Sequence, residues 1–161
     1  LSISEIKYPD YFKTKFEYLR LPIASYLETN NTVYYTFQKK SILYSYNLNS
    51  KKIDSVIIPN FHTSEFEVKN KTDITQIRKY VDENDQNCNL LTTKAGDIFL
   101  LKKNRKASKN KFDLFVFSLD LQLRGTQSIN TNLETAMAFT KENKLYVKTE
   151  YNNYSIFATS E

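Results

Sequence analysis

Residues 31–60 read NTVYYTFQKKSILYSYNLNSKKIDSVIIPN, and the pattern of this stretch returns twice further along the chain. It predicts three short strands, Thr32–Gln38, Ser41–Asn47 and Ile53–Ile58, joined by tight polar turns. In the second of them a period of two sets Leu43, Ser45 and Asn47 on one face and Ile42, Tyr44 and Tyr46 on the other. A meander this short cannot shield its Ile and Tyr face alone, so that face requires a partner sheet and the other copies must stack on this one.

The second copy runs through Cys88–Thr92, a turn at Thr93–Gly96, Asp97–Lys103 and Phe112–Ser118. Its segment LFVFSLDLQ (residues 114–122) matches LYSYNLNSK (residues 43–51) at Leu, aromatic, any, aromatic, small polar, Leu, then Asn or Asp. The third copy opens at Ala136–Phe139, turns through Lys141, Glu142 and Asn143, and continues over Lys144–Thr149 and Tyr154–Phe157 without an outer strand. Val33, Ile98 and Leu145 hold equivalent positions, spaced by 65 and 47 residues. The longer interval carries an insertion, residues 60–86. There Ile74, Ile77, Tyr80 and Val81 have helical spacing behind an Asp73/Gln76 capping box; a solvated loop is the other reading. Upstream, Tyr8-Pro9-Asp10 marks a turn and Phe16–Leu21 a candidate strand, ended by Pro22 as an edge or terminus; a short apolar strand follows over Ile23–Leu27.

Composition agrees. Twelve Tyr and eleven Phe, with no Trp, favour strands, while two Gly and three Pro leave the turns to Asn, Asp, Ser and Lys. The 16 Asn can take the positive φ that glycine would otherwise supply. Single copies of Cys and His, Cys88 and His62, offer little for disulfide, metal or nucleophilic chemistry. The longest aliphatic and aromatic run, Ile98–Leu101, is far short of the roughly 20 residues of a membrane helix.

Meanders repeating at about 40 to 50 residues are the sequence form of a β-propeller. The hairpin signature at Tyr44–Asn49 and Phe115–Asp120 resembles the blade ends of six-bladed TolB-like and NHL-like propellers. The richness in Asn, Lys, Ile and Tyr is similar to that of six-bladed propeller lipoproteins of Bacteroidota. The expected fold is all-β: a propeller segment of about three four-stranded antiparallel blades at about 23–59, 88–129 and 135–161. Three copies cannot close a ring of four to eight blades, so the chain reads as part of a longer polypeptide. The alternative is a head-to-tail dimer in which Phe16–Leu21 fills the vacant outer position of a neighbouring copy. What the resemblance implies is an exported protein of the cell envelope, a lipoprotein partnering an outer-membrane assembly, with membrane association only through an anchor or partner outside this sequence.

The net charge of +5 is local: residues 94–124 hold eight basic side chains against three acidic ones. Within them KKNRKASKNK, residues 102–111, carries Lys102, Lys103, Arg105, Lys106, Lys109 and Lys111 on the connection between the two central strands of the second copy. In a propeller this loop shares a rim with the 60–86 insertion and residues 149–153. It reads either as an electropositive patch for phosphate, anionic glycan, lipid headgroups or nucleic acid, or as a solvated loop kept polar for solubility. No aromatic interrupts it, which speaks against stacking on single-stranded bases. Tyr151 and Tyr154, beside Asn152 and Asn153, suit contact with carbohydrate or protein, and core packing is the competing reading.

No motif calls for a metal or cofactor. His62 lacks a second ligand, and Asp82, Glu83 and Asp85 lack the glycine and spacing of a calcium loop. No nucleophile elbow or Gly-rich oxyanion loop accompanies a Ser-His-Asp set, and Cys88 reads as a small core filler. The leading functional expectation is therefore a non-catalytic binding or scaffolding module. It would contact a protein partner or glycan through one rim, Lys102, Lys103, Arg105, Lys106, Lys109, Lys111, Tyr151 and Asn152 included. The alternative is a propeller-type glycan hydrolase or lyase, for which Glu65 and Glu67 on one strand face are a weak beginning. Nucleic-acid binding through the basic loop is a third and lesser reading.

Overall fold

The computed structural model describes residues 22–65, 68–70, 72–105, 111–131, 133, 137–151 and 153–158. They form three antiparallel meanders in succession, with no closed barrel among them. The first sheet is β1 (Pro22–Leu27), β2 (Thr32–Phe37), β3 (Ile42–Asn47) and β4 (Ile53–Ile57), paired in that order. The second is β5 (Gln86–Thr92), β6 (Asp97–Lys103), β7 (Lys111–Ser118) and β8 (Leu123–Asn130). The third is β9 (Ala138–Lys141), β10 (Lys144–Lys148) and β11 (Tyr154–Ala158). Helix α1 (Ile74–Glu83) lies in the insertion between the first two sheets. The candidate strand at Phe16–Leu21 and the turn at residues 8–10 lie outside the described residues.

The first strand of each sheet lies beside the first strand of the next, β1 against β5 and β5 against β9. This is a propeller-like segment, in which the sheets stack face to face around their inner strands. One cluster joins Tyr34 and Leu43 of the first sheet to Leu90, Ile98, Leu100, Phe115 and Phe117 of the second. Another joins Phe99, Leu101, Phe112 and Leu114 to Leu145, Val147 and Phe157 of the third. Each such side chain removed from water stabilises the stack by roughly 1.5–3 kcal/mol.

The stack has a direction. Ile98 and Leu145 both face the sheet before their own, while Tyr34 and Phe99, one residue further along than Val33 and Ile98, face the sheet after. The Tyr34 hydroxyl crosses to the second sheet and donates to the Leu119 carbonyl at 3.2 Å. The first sheet corrects one expectation: its partner lies against the Tyr34 and Leu43 face, not the face of Tyr44 and Tyr46. The Tyr face forms its own cluster, with Tyr35 stacked on Tyr44 at 5.0 Å and Phe37 edge-on to Tyr35. A central meander buries both faces, so a period of two locates the faces without saying which neighbour each one meets.

Asparagine does serve at positive φ, at Asn31, Asn60 and Asn143, but Lys51, Leu121 and Glu142 take the same conformation. The matched hairpins also differ. After β3 the pairing closes from the Asn47 N–H to the Lys52 carbonyl, and after β7 from the Ser118 N–H to the Gln122 carbonyl, one residue sooner. Beyond that turn β8 carries a bulge, and Arg124, in the irregular stretch between Leu123 and Gly125, reaches the buried Asp97 carboxylate at 3.0 Å.

Candidate functional site

The strand order puts the β2–β3 turn, the 60–86 insertion and the β6–β7 connection at one end of the stack, where the sequence placed its basic rim. The insertion's helix begins as its spacing predicts. The Asp73 side chain accepts from the N–H groups of Thr75 and Gln76, satisfying two donors the first turn leaves open. Gln76 does not close a capping box through the Asp73 N–H. Its amide donates to the Asp73 carboxylate at 3.0 Å, and its oxygen accepts from the N–H groups of Lys69 and Asn70.

The far end of α1 is held by a residue of another sheet. Lys39, in the β2–β3 turn, is buried and donates from Nζ to the carbonyls of Val81 at 3.0 Å and Asn84 at 2.9 Å. Orphan carbonyls at a helix C-terminus favour such a donor. Burial, with the Arg105 guanidinium adding repulsion, pushes the Lys39 ammonium down to about 7. Asn84 donates to the Tyr80 carbonyl at 2.6 Å and accepts from the Ser64 N–H at 2.7 Å, which fixes the chain on both sides of the helix.

Lys102 is the hub of this end. Its side chain has 0% exposure, against 1% for Asp85 and 18% for Asp113. Nζ reaches Asp85 at 3.0 Å, Asp113 at 3.3 Å and the Asn60 carbonyl at 2.6 Å, so its three N–H donors all have acceptors. The rings of Phe61 and Phe115 lie 5.8 and 5.5 Å from the same ammonium. Asp85 also accepts from the backbone N–H groups of His62 and Arg105, both at 2.9 Å. Asp113 accepts from Ser128 and Asn104. The arrangement clamps the insertion to the second sheet. Within it the ammonium and both carboxylates are engaged with one another, with the backbone and, at Asp113, with Ser128 and Asn104.

Lys102 therefore leaves the surface patch in which its neighbours placed it. Period-two counting could have found this: Ile98, Leu100 and Lys102 alternate on one face of β6, and the first two are core residues. Arg105 is half-buried, its backbone on Asp85 and its guanidinium 3.6 Å from Asp82. Lys103 lies over the Phe112 ring at 5.8 Å, and Lys111 is half-buried at the start of β7. Lys106, Lys109 and Asn152 lie outside the described residues, as does Glu67. Tyr151 is 81% exposed, with the Lys148 ammonium 5.3 Å from its ring centroid. Cys88 packs with the cluster between the second and third sheets, and burial pushes its thiol up, away from reactivity.

A surface of which sequence reading singled out Tyr154 alone lies on the third sheet. Phe139, Tyr146 and Ile156 align across its three strands, and Tyr154 stands two pairs further on, on the same face. Phe139 stacks on Tyr146 at 5.0 Å and meets Tyr154 edge-on at 5.7 Å, yet Phe139, Tyr154 and Ile156 are 45%, 47% and 59% exposed. Alternation puts Lys141, Lys144 and Lys148 on the same face as these rings. Tyr146 follows Leu145 as Phe99 follows Ile98, so this is the forward face of the stack, the one that in the first two sheets is covered by a successor.

Neither a protein-family profile nor a curated protein matches the sequence. Among solved structures, the chain is similar to the crystal structure of a member of the DUF4221 family from Bacteroides vulgatus ATCC 8482. The TM-score is 0.60 at 13% identity, and the match covers 86% of this chain and 46% of that one. The chain thus spans less than half the length of that neighbour, and the likeness is one of fold.

Proposed function

We propose that this chain is a non-catalytic binding and scaffolding segment of a bacterial cell-envelope protein, and that it docks a protein partner. The single observation carrying the reading is the forward face of the third sheet, which calls for a cover, either a further sheet of a longer ring or a surface of another protein. A central row of Phe139, Tyr146 and Ile156, flanked by Lys141, Lys144 and Lys148, fits a partner surface with an apolar centre and an acidic border. The electropositive-patch reading of the basic loop loses its first residue, Lys102, to the interior, which moves the weight from the rim to this face. The fold likeness to a Bacteroides structure of about twice the length is compatible with a segment of a larger ring; a six-bladed TolB-like or NHL-like ring, exported and lipid-anchored through a segment outside this sequence, rests on the sequence resemblance alone.

The test is affinity capture from native Bacteroides envelopes with the unmodified chain and with Phe139→Asp/Tyr146→Asp. The reading requires a partner retained by the first and lost by the second, with thermal stability of the two compared as a control. An identical captured set would overturn it. The competing reading, a glycan hydrolase or lyase, requires paired carboxylates facing a cleft. The two most buried, Asp85 and Asp97, are instead held by Lys102 and Arg124. Turnover of oligosaccharides by the purified chain would restore that alternative.

A further inference from the structure

At the opposite end of the stack from the insertion, the hairpins β1–β2, β5–β6 and β9–β10 converge on an open pocket of about 730 Å³. That is within the range of small-molecule sites, about 300–1,000 Å³. Its walls come from all three sheets, and bonds between sheets hold them in place. Ser25 and Thr92 share a hydroxyl contact at 2.8 Å, the Thr140 hydroxyl donates to the Thr92 carbonyl at 3.4 Å, and the Asn143 side chain accepts from the Ala95 N–H at 3.1 Å. The cavity is thus formed before any ligand arrives, which spares the ordering cost that a loop-built site would meet on binding.

Its chemistry differs from that of the rest of the molecule. In a chain of net charge +5 the pocket is balanced: Glu28 and Glu142 against Lys94 and Lys141. Of the threonines in the lining, Thr92, Thr93 and Thr140 have hydroxyls engaged with Ser25, the Asp97 N–H and the Thr92 carbonyl, which leaves the exposed Thr29 beside the charged groups. Tyr26 borders it with 51% exposure, and its hydroxyl is already donated to the Asn31 side chain at 2.9 Å. The ring is what remains to offer. A balanced set of donors and acceptors beside an anchored aromatic ring matches a ligand with many hydroxyls and apolar C–H faces, and gives no excess cation for a phosphate.

We propose that this pocket binds a neutral oligosaccharide, with the Tyr26 ring as its stacking platform and the Glu28 carboxylate among its hydrogen-bond acceptors. The site shares Lys141 with the face of the third sheet but neither Tyr26 nor Glu28, so substitutions at those two residues test it separately from the protein-docking reading. Maltohexaose, chitohexaose and mannohexaose are titrated into the isotopically labelled chain, with a hexameric polygalacturonate and inorganic phosphate as anionic arms. The proposal requires that one or more of the neutral sugars shift the amides of residues 26–29, 92–95 and 140–143, and that neither anion does so more strongly. Tyr26→Ala then weakens that sugar about tenfold, the scale of one lost ring contact. Tyr26→Phe keeps it within about threefold, because the hydroxyl is spent on Asn31, and Glu28→Ala weakens it while the rest of the amide spectrum reports an intact fold. Silence from all three neutral sugars at millimolar concentration, preference for an anion, or indifference to Tyr26→Ala in a folded variant would each overturn it.

Discussion

The two ends of the stack use polar residues in opposite ways. At the insertion end Lys39, Lys102 and Asp85 are buried and fully engaged, and they bind one part of the chain to another. At the hairpin end Glu28, Lys94 and Glu142 remain exposed around a cavity. The buried charges of the denser end are therefore structural, and the end with the plainer sequence carries an open pocket. Density of charge along a chain says little about function until burial decides whether each charge still faces water.

The largest expected break in this contrast is Lys102→Met. It strands Asp85 in the interior without its cation, and removal of one partner of such a pair costs about 3–5 kcal/mol. Urea denaturation should show the loss, whereas Lys94→Met, an exposed lysine at the other end, should leave the midpoint nearly unchanged.

Lys39 gives the next effect, read through pH. Its ammonium titrates at about 7 in the folded chain, against 10.5 ordinarily, so between those values the unfolded chain holds the extra proton. Stability therefore rises as pH increases from about 7 toward 10, and below 7 this residue contributes no slope. Above 10 the trend reverses: burial and the neighbouring Tyr44 push Tyr35 up to about 12, so tyrosine ionises first in the unfolded chain. Lys39→Met should flatten the rise between 7 and 10 in denaturation curves taken across that window. A slope unchanged by the substitution would show that Lys39 is not its source.

Asp73→Ala removes the helix cap and should cost about 1 kcal/mol. Amide exchange should locate the loss in α1 and leave β9–β11 as protected as before. The smallest effect belongs to Phe139→Ser on the open face, where less than about 1 kcal/mol is at stake because half the ring is already in water. Near-neutral stability there, measured beside the Lys102→Met loss, would separate a surface kept for contact from an interior kept for folding.

The sheets were legible because alternation and turn chemistry are local. Strands β2, β3 and β6 end within a residue of where period two and the Asn-rich turns put them, and Asp73 begins α1. The candidate site was much less legible. Lys102 reads as one more cation in KKNRKASKNK, and only its alternation with Ile98 and Leu100 signals that it points inward. Its acceptors, at residues 60, 85 and 113, come from three separated parts of the chain, and no local pattern joins them. The pocket is hidden for the same reason: residues near 26, 93 and 142 meet only because three inner strands lie side by side. The face of the third sheet alternates as the covered faces before it do, so period two alone cannot tell which of them is covered.

Because every sheet leans on the one before it through residues such as Ile98 and Leu145, cohesion is shared only between neighbours. Among the described residues the middle meander is gripped from two sides. A substitution in that middle meander therefore loosens two seams at once, and its damage reaches sheets that share no seam of their own.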